Sequence, residues 1–333
     1  LDVGRRGYRN WCRLLFDLER APASAGHAGH RMNVRLGIAL KVTAVLLFTA
    51  MFACVKATAD AVPPGQAVFF RSLFTLAPLG VYIWLKGQTF SAVKTNNHLG
   101  HAWRGILSAL AMLLNFTGVG LLPLPDAIAI GYAMPLFTTI FAALLLGEVV
   151  RNYRWTAIAI GLLGVLIVMW PRLAFLRGDI EQWSQLVGAM SAVTAAALVG
   201  LGLVVVRMLV SGERTAAIVF YFAVYCTAGS LLTLPFGWAV PDATTTAILI
   251  MTGLCGGTAQ ILLTESIRHA DMSTLAPFEY VSMIASIAIG YALFSEIPTL
   301  WMLAGAVLII GAGLLMIHRE RQLELARAQQ GMV

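Results

Sequence analysis

The chain has 333 residues, 59% of them hydrophobic and only 12% charged, with a mean hydropathy of +0.80. A soluble domain carries about twice that charged fraction, so the composition excludes an ordinary soluble catalytic domain. The net charge of +7 does not point to nucleic acid, because Lys and Arg lie in connections and tails and form no interleaved patch. The four cysteines (Cys12, Cys54, Cys226 and Cys255) lack CxxC spacing. They read as buried apolar residues, and no metal or other cofactor is expected.

In chain order, residues 1–31 are polar and rich in Arg, and Met32-Asn33-Val34-Arg35 leads into the first apolar run. Residues 1–35 therefore read as a cytoplasmic N-terminal segment, with Met32 as an alternative start. No cleavable signal peptide is expected, since the run after Arg35 is long enough to stay as a span. Apolar stretches of about 20 residues, enough to cross a ~30 Å hydrocarbon core, then recur ten times. They fall near 36–56, 66–86, 100–120, 126–146, 154–170, 184–206, 215–236, 246–267, 274–294 and 298–317. Connections carry turn residues, as at Pro63-Pro64-Gly65, Pro123-Leu124-Pro125 and Pro241-Asp242. A longer segment, 171–183, divides the chain, and 318–333 reads as a cytoplasmic tail. With the N-terminus inside, eighteen of the 23 Lys and Arg residues, Arg104 among them, fall on the cytoplasmic side. Only Arg172 and Arg177 fall outside, and Lys41, Lys56 and Arg71 lie within spans. This asymmetry predicts both termini in the cytoplasm of an inner membrane.

The two parts repeat each other. Tyr132 precedes Glu148 by 16 residues, and Tyr280 precedes Glu296 by the same interval. Each Glu is followed by a last span that starts near Trp155 or Trp301 and is rich in small residues. Gly37 to Lys56 aligns with Gly188 to Arg207 at a constant offset of 151. Five spans per copy is an odd number, so the second copy enters the membrane upside down. The predicted fold is an all-α polytopic membrane protein of ten transmembrane helices in two inverted five-helix repeats, 36–170 and 184–317. Such repeats supply two related conformations with a substrate site between them, and a secondary transporter is the expected function.

These residues also carry a resemblance. The run GLLPLPDAIAIGYAMPLFTTIFAALLLGEVV, and its second copy around APFEY and ending in Glu296, resemble the EamA domain of the drug/metabolite transporter superfamily. Arg71 after Val68-Phe69-Phe70 belongs to the same pattern. The resemblance implies a ten-helix carrier for metabolites such as vitamins, nucleoside-linked compounds or amino acids. The APFEY and FFR segments look most like permeases for riboflavin or S-adenosylmethionine. It also implies a midplane cavity formed mainly by spans 1, 3, 4, 6, 8 and 9.

A charge in hydrocarbon costs about 2.5–3.5 kcal/mol on insertion scales, so each needs a reason. Lys41 and Lys56 are expected to snorkel, with Lys56 and its repeat mate Arg207 as alternative gate charges. Arg71 needs an acid, backbone carbonyls or an anion, and Asp60 and Asp126 are the acids in view. Glu265 and Glu279 lie at neighbouring ends of spans 8 and 9, with Arg268 within reach. Two carboxylates that close would repel, and one would take a coupling proton or hold a cation. Glu148 and Glu296 are expected to face water or cap the helix that follows. Tyr132 and Tyr280, with Asn115, Trp103, Gln260 and Tyr221, are candidates to line an aromatic, hydrogen-bonding pocket. Pro78, Pro135 and Pro277 are candidate bends. The expected partners are a small-molecule substrate, the lipid bilayer and a coupling proton or ion, with a homodimer left open.

An intramembrane enzyme is the rival from another class, but no HExxH motif occurs and His98 and His101 have no neighbouring acid or thiol. A channel would favour rings of like charge about an oligomeric pore. No GxxxxGK[ST] loop is present, so ATP is not the expected energy source.

Overall fold

The computed structural model describes residues 34–87, 93–95, 98–146, 152–171, 180–209, 215–270 and 272–329. The N-terminal segment, Glu148, most of the linker and the side chains of Arg207 and Arg268 lie outside the described residues. Ten helical spans follow one another, as the run lengths require. In lipid every backbone N–H and C=O must be bonded internally, and a helix does this within one segment.

Five spans are single helices close to their predicted bounds: span 1 (Val34–Ala57), span 3 (His98–Leu121), span 5 (Asn152–Met169), span 7 (Thr215–Leu231) and span 8 (Ala243–His269). Span 6 (Ile180–Leu209) starts four residues early, and span 10 (Leu300–Gln329) continues as helix into the predicted tail. Eight spans are long and apolar enough to cross a membrane, and spans 5 and 7 are shorter apolar helices. Caps fix several starts. Pro64 opens span 2 at a position where no N–H is needed. Asp242 caps span 8 by accepting from Thr245 N at 3.1 Å.

The other three spans are interrupted, each beside one of the prolines. Span 2 consists of Pro64–Phe74 and Leu76–Leu85, where Pro78 cannot donate to Phe74 O. Span 4 consists of Leu124–Gly131 and Met134–Leu146, where Pro135 cannot donate to Gly131 O. Span 9 begins with a short turn, Met272–Leu275, passes through a 3-10 stretch, Ala276–Tyr280, and continues as Val281–Phe294. Pro277 stands in the first turn of the 3-10 stretch, where no N–H is needed, and opens the membrane-length apolar part of span 9. The breaks in spans 4 and 9 fall at repeat-equivalent residues, Tyr132 and Tyr280.

Packing follows the repeat. Span 1 lies along span 8 as span 6 lies along span 3. Spans 3 and 7 pair as 8 and 2 do, and spans 4 and 6 as 9 and 1 do. Spans 5 and 10 cross each other, their own repeat mates. Every helix thus finds its partner in the other half, the pattern two copies generate about a twofold axis. The crossing of spans 5 and 10 depends on glycine. A Cβ on Gly164 would lie 2.8 Å from Gly305 O, and one on Gly305 would lie 2.5 Å from Gly164 O. Only the missing side chains let the two backbones come this close.

Candidate functional site

Span 1 carries two lysines 15 residues apart, about 22 Å along a helix. Both are engaged with acids, Glu279 within span 9 and Glu296 just beyond its end. Lys41 Nζ bonds Glu279 Oε2, with the lysine buried and the glutamate side chain 43% exposed. Lys56 Nζ lies 2.8 Å from Glu296 Oε1, and both of these side chains are largely buried. Lys56 also donates to Leu122 O at 2.5 Å and sits 5.6 Å from the centre of the Phe294 ring. Neither lysine snorkels: each lies closer to an acid than a solvent-seeking chain would need.

Glu296 does not cap the helix that follows it. Span 9 ends at Ser295 in the left-handed region, φ 54°, and the turn sends Glu296 N–H back to Gly290 O at 3.0 Å. The carboxylate then accepts from Leu124 N at 2.8 Å, a free donor at the first turn of span 4. Glu296 therefore joins span 9 to span 1 and to the start of span 4 in the other half.

Glu265 and Glu279 do not form the expected carboxylate pair. Glu279 faces Lys41, whereas Glu265 accepts from Tyr82 Oη at 2.9 Å and lies 4.0 Å from Lys86 Nζ. Each acid has its own partner from the first half, so charge neutralisation takes the place of repulsion.

Tyr132 and Tyr280 do meet. Their rings stand edge to face, 5.2 Å apart at 77°. Tyr132 Oη is 2.5 Å from Ser282 Oγ, and Ser282 Oγ donates to Glu279 O at 2.6 Å. Tyr280 Oη packs on Gly313 of span 10, where a Cβ would come within 2.2 Å. The two helix breaks are thereby joined through their aromatic rings, next to the Glu279 backbone.

The remaining pocket candidates lie elsewhere. Tyr221 stacks on His101 at 4.8 Å and stands edge-on to His98, between spans 3 and 7. Trp103 is 39% exposed on the surface of span 3, away from the tyrosine pair. Asn115 Oδ1 is buried without a hydrogen-bond partner. Gln260 is one turn beyond Gly256, on the face of span 8 turned to spans 1 and 2.

Arg71 is 3% exposed, and no carboxylate lies within ion-pair distance of it among the described residues. Asp60 is exposed, and Asp126 is buried at the start of span 4. The Arg71 guanidinium faces the Phe222 ring at 4.8 Å, and Arg104 faces the same ring at 5.4 Å. Arg104, counted with the cytoplasmic charges, is 9% exposed near the start of span 3, because it packs against span 7. A cavity of about 270 Å³ lies apart from these groups, between spans 1, 2 and 3 near Asp60 and Phe116. Its threonines, Thr58 and Thr117, bond their own helix backbones. Among the described residues no three His, Cys, Asp or Glu side chains gather as a metal site.

Comparison with known proteins agrees with this architecture. Residues 35–170 match the EamA-like transporter family. A riboflavin transporter of Rhizobium johnstonii is 30% identical over 271 residues, covering 79% of this chain and 84% of that protein. A pseudopaline exporter of Pseudomonas aeruginosa is 29% identical over 84% of this chain and 95% of its own length. An S-adenosylmethionine uptake transporter of Rickettsia felis is 26% identical over 77% of this chain and 84% of its own. A solved crystal structure shares the fold, with a TM-score of 0.60 over 84% of this chain and 96% of that one, at 19% identity.

Proposed function

Since the chain belongs to the EamA-like transporter family, within the drug/metabolite transporter superfamily, we propose that it carries an organic metabolite by alternating access of two inverted halves. It is a multi-pass membrane protein and a small-molecule transporter, not an enzyme. The substrate class we assign is a vitamin, a nucleoside-linked compound or an amino acid; the relatives named for riboflavin and S-adenosylmethionine support the first two. The membrane is the inner membrane, with both termini cytoplasmic. Halves 36–170 and 184–317 are the moving bodies.

The observation that carries this reading is the contact of Tyr132 with Tyr280. Each sits where its helix is broken, and broken helices at repeat-equivalent points are where inverted-repeat carriers hold substrate. A ring pair that spans the halves parts when the halves rock, and the two faces it leaves are aromatic with hydroxyl groups. In the proposed orientation the Lys56–Glu296 contact closes the outer end of the span 1–span 9 seam, and Lys41–Glu279 closes the cytoplasmic end. Glu279 is the more exposed acid and lies beside the Tyr132–Ser282 contact. A proton arriving on Glu279 removes the charge that holds Lys41 and frees the cytoplasmic end, which couples opening to proton entry.

Counterflow in proteoliposomes tests the reading, with riboflavin, S-adenosylmethionine and amino acids as the panel. A carrier accelerates uptake of labelled compound when the same compound is preloaded. A panel compound that enters without such acceleration would indicate a channel, and would overturn alternating access.

A further inference from the structure

We propose that Arg71 and Arg104, set about Phe222, form a buried site for an oxyanion of the transported molecule, a carboxylate or a phosphate. This rests on the carrier reading above and narrows its substrate class. Arg71 Nε and Nη1 are buried and have no hydrogen-bond partner. An ion in that condition forfeits several kcal/mol of hydration, and little around it makes up the loss. Glu279 is committed to Lys41, Glu296 to Lys56 and Glu265 to Tyr82 and Lys86, and the buried Asp126 is not within ion-pair distance of Arg71. The Phe222 face returns only part of that loss to a desolvated cation. Arg104 spends one N–H on Ile218 O at 2.9 Å and brings a second positive charge to the same ring.

Two guanidiniums around one apolar ring, with no anion between them, repel each other in a low dielectric. A carboxylate or a phosphate satisfies both, because the guanidinium fork matches two of its oxygens at a time. Position adds to the case. Arg71 and Arg104 come from the first half, and Phe222 and Gly256 come from the second, so an anion held here lies on the surface where the halves meet. A Cβ on Gly256 would lie 3.1 Å from Arg71 Nε and 2.6 Å from Met51 Sδ. The missing side chain lets the guanidinium rest on span 8. Met51, flexible and unbranched, is the neighbour that moves aside when an anion enters.

Matched ligands test the site, each pair differing only in the oxyanion: S-adenosylmethionine against its decarboxylated form, and riboflavin 5′-phosphate against riboflavin. Equilibrium dialysis of the purified protein should show the oxyanion-bearing member of a pair binding at least about tenfold more tightly, about 1.4 kcal/mol. The first pair reports a carboxylate and the second a phosphate. Arg71→Met should abolish the difference and leave affinity for the other member unchanged. Equal affinity within both pairs, or discrimination that survives Arg71→Met, overturns the proposal. If Arg71→Met does not fold, Arg71→Lys takes its place, and should reduce the preference by losing the fork while keeping the charge. A second readout needs no ligand. Removing an unpaired buried cation should raise the melting temperature of the ligand-free protein, whereas a fall would mean that Arg71 is satisfied within the fold and would overturn the site. If neither pair binds, this shift decides alone. Counterflow without oxyanion preference leaves the carrier standing and removes only this site.

Discussion

The two ends of the seam between spans 1 and 9 hold the same pair of residue types in different surroundings. At one end Lys56 and Glu296 are both buried, and each has a second partner, Leu122 O and Leu124 N. At the other end Lys41 is buried, but Glu279 keeps 43% of its side chain exposed. Chemistry alone would rank the two pairs equal. Burial and the extra backbone partners separate them: one end is a structural joint among spans 1, 4 and 9, the other a contact that water and protons reach. Alternating access opens the two ends in turn, so the exposed pair parts at low cost and the buried pair at a higher one.

The largest expected effect comes from breaking the buried end. Lys56→Met leaves Glu296 with one backbone donor and should destabilise the protein by roughly 3 kcal/mol, the range for stripping one member from a buried pair. Thermal unfolding in detergent measures it. Pairing it with Glu296→Met should recover much of the loss, because two apolar chains replace two charges that no longer need each other. Failure to recover would show that the Glu296 bond to Leu124 N matters more than the ion pair.

Next in size, Tyr132→Phe removes the hydroxyl facing Ser282 and should cost about 1 kcal/mol, read in the same unfolding experiment. Substrate affinity should fall with it if the tyrosine pair lines the site. At the exposed end, Glu279→Gln should change stability by less than about 1 kcal/mol, as for pairs in contact with water. Its effect belongs to function: flux that varies with pH in the native protein should become pH-independent. An unchanged pH profile would take the coupling proton away from Glu279.

The smallest effect is a control far from the seam. The Thr245 hydroxyl, and with it the Thr245 N–H, holds the pKa of the Asp242 carboxyl below the usual carboxylate value. A depressed acid adds stability above its unfolded pKa and loses it as pH falls through the folded one. Asp242→Ala should therefore lower the melting temperature slightly at neutral pH, and less so in acid.

Much of this was legible in the sequence, for physical reasons that also mark the limit. Span number followed from run length, because lipid demands helices of a fixed minimum. The equivalence of Tyr132 and Tyr280 was legible in their equal distance to Glu148 and Glu296, whereas the contact of their rings was not. Partner choice did not follow. Glu279 was read against Glu265, its neighbour along the chain, whereas its partner Lys41 is 238 residues away. A signal was present: two lysines 15 residues apart on span 1, and two glutamates 17 apart, one in span 9 and one just past its end. Arg104 lies inside the predicted span 100–120 yet counts with the cytoplasmic charges there, because a residue near a helix end can reach water; only packing against span 7 shows it buried. Trp103 and Tyr221 look equivalent to Tyr132 by type. Only packing sends one to the outer surface and the other onto His101.

The central claim is that the buried joint between Lys56 and Glu296 must part for each transport cycle. In a background without native cysteines, Lys56→Cys and Glu296→Cys can be joined by a short reducible thiol cross-linker, and counterflow followed before and after reduction. The account predicts that cross-linked protein carries no substrate and that reduction restores flux. Full counterflow by the cross-linked protein would contradict it.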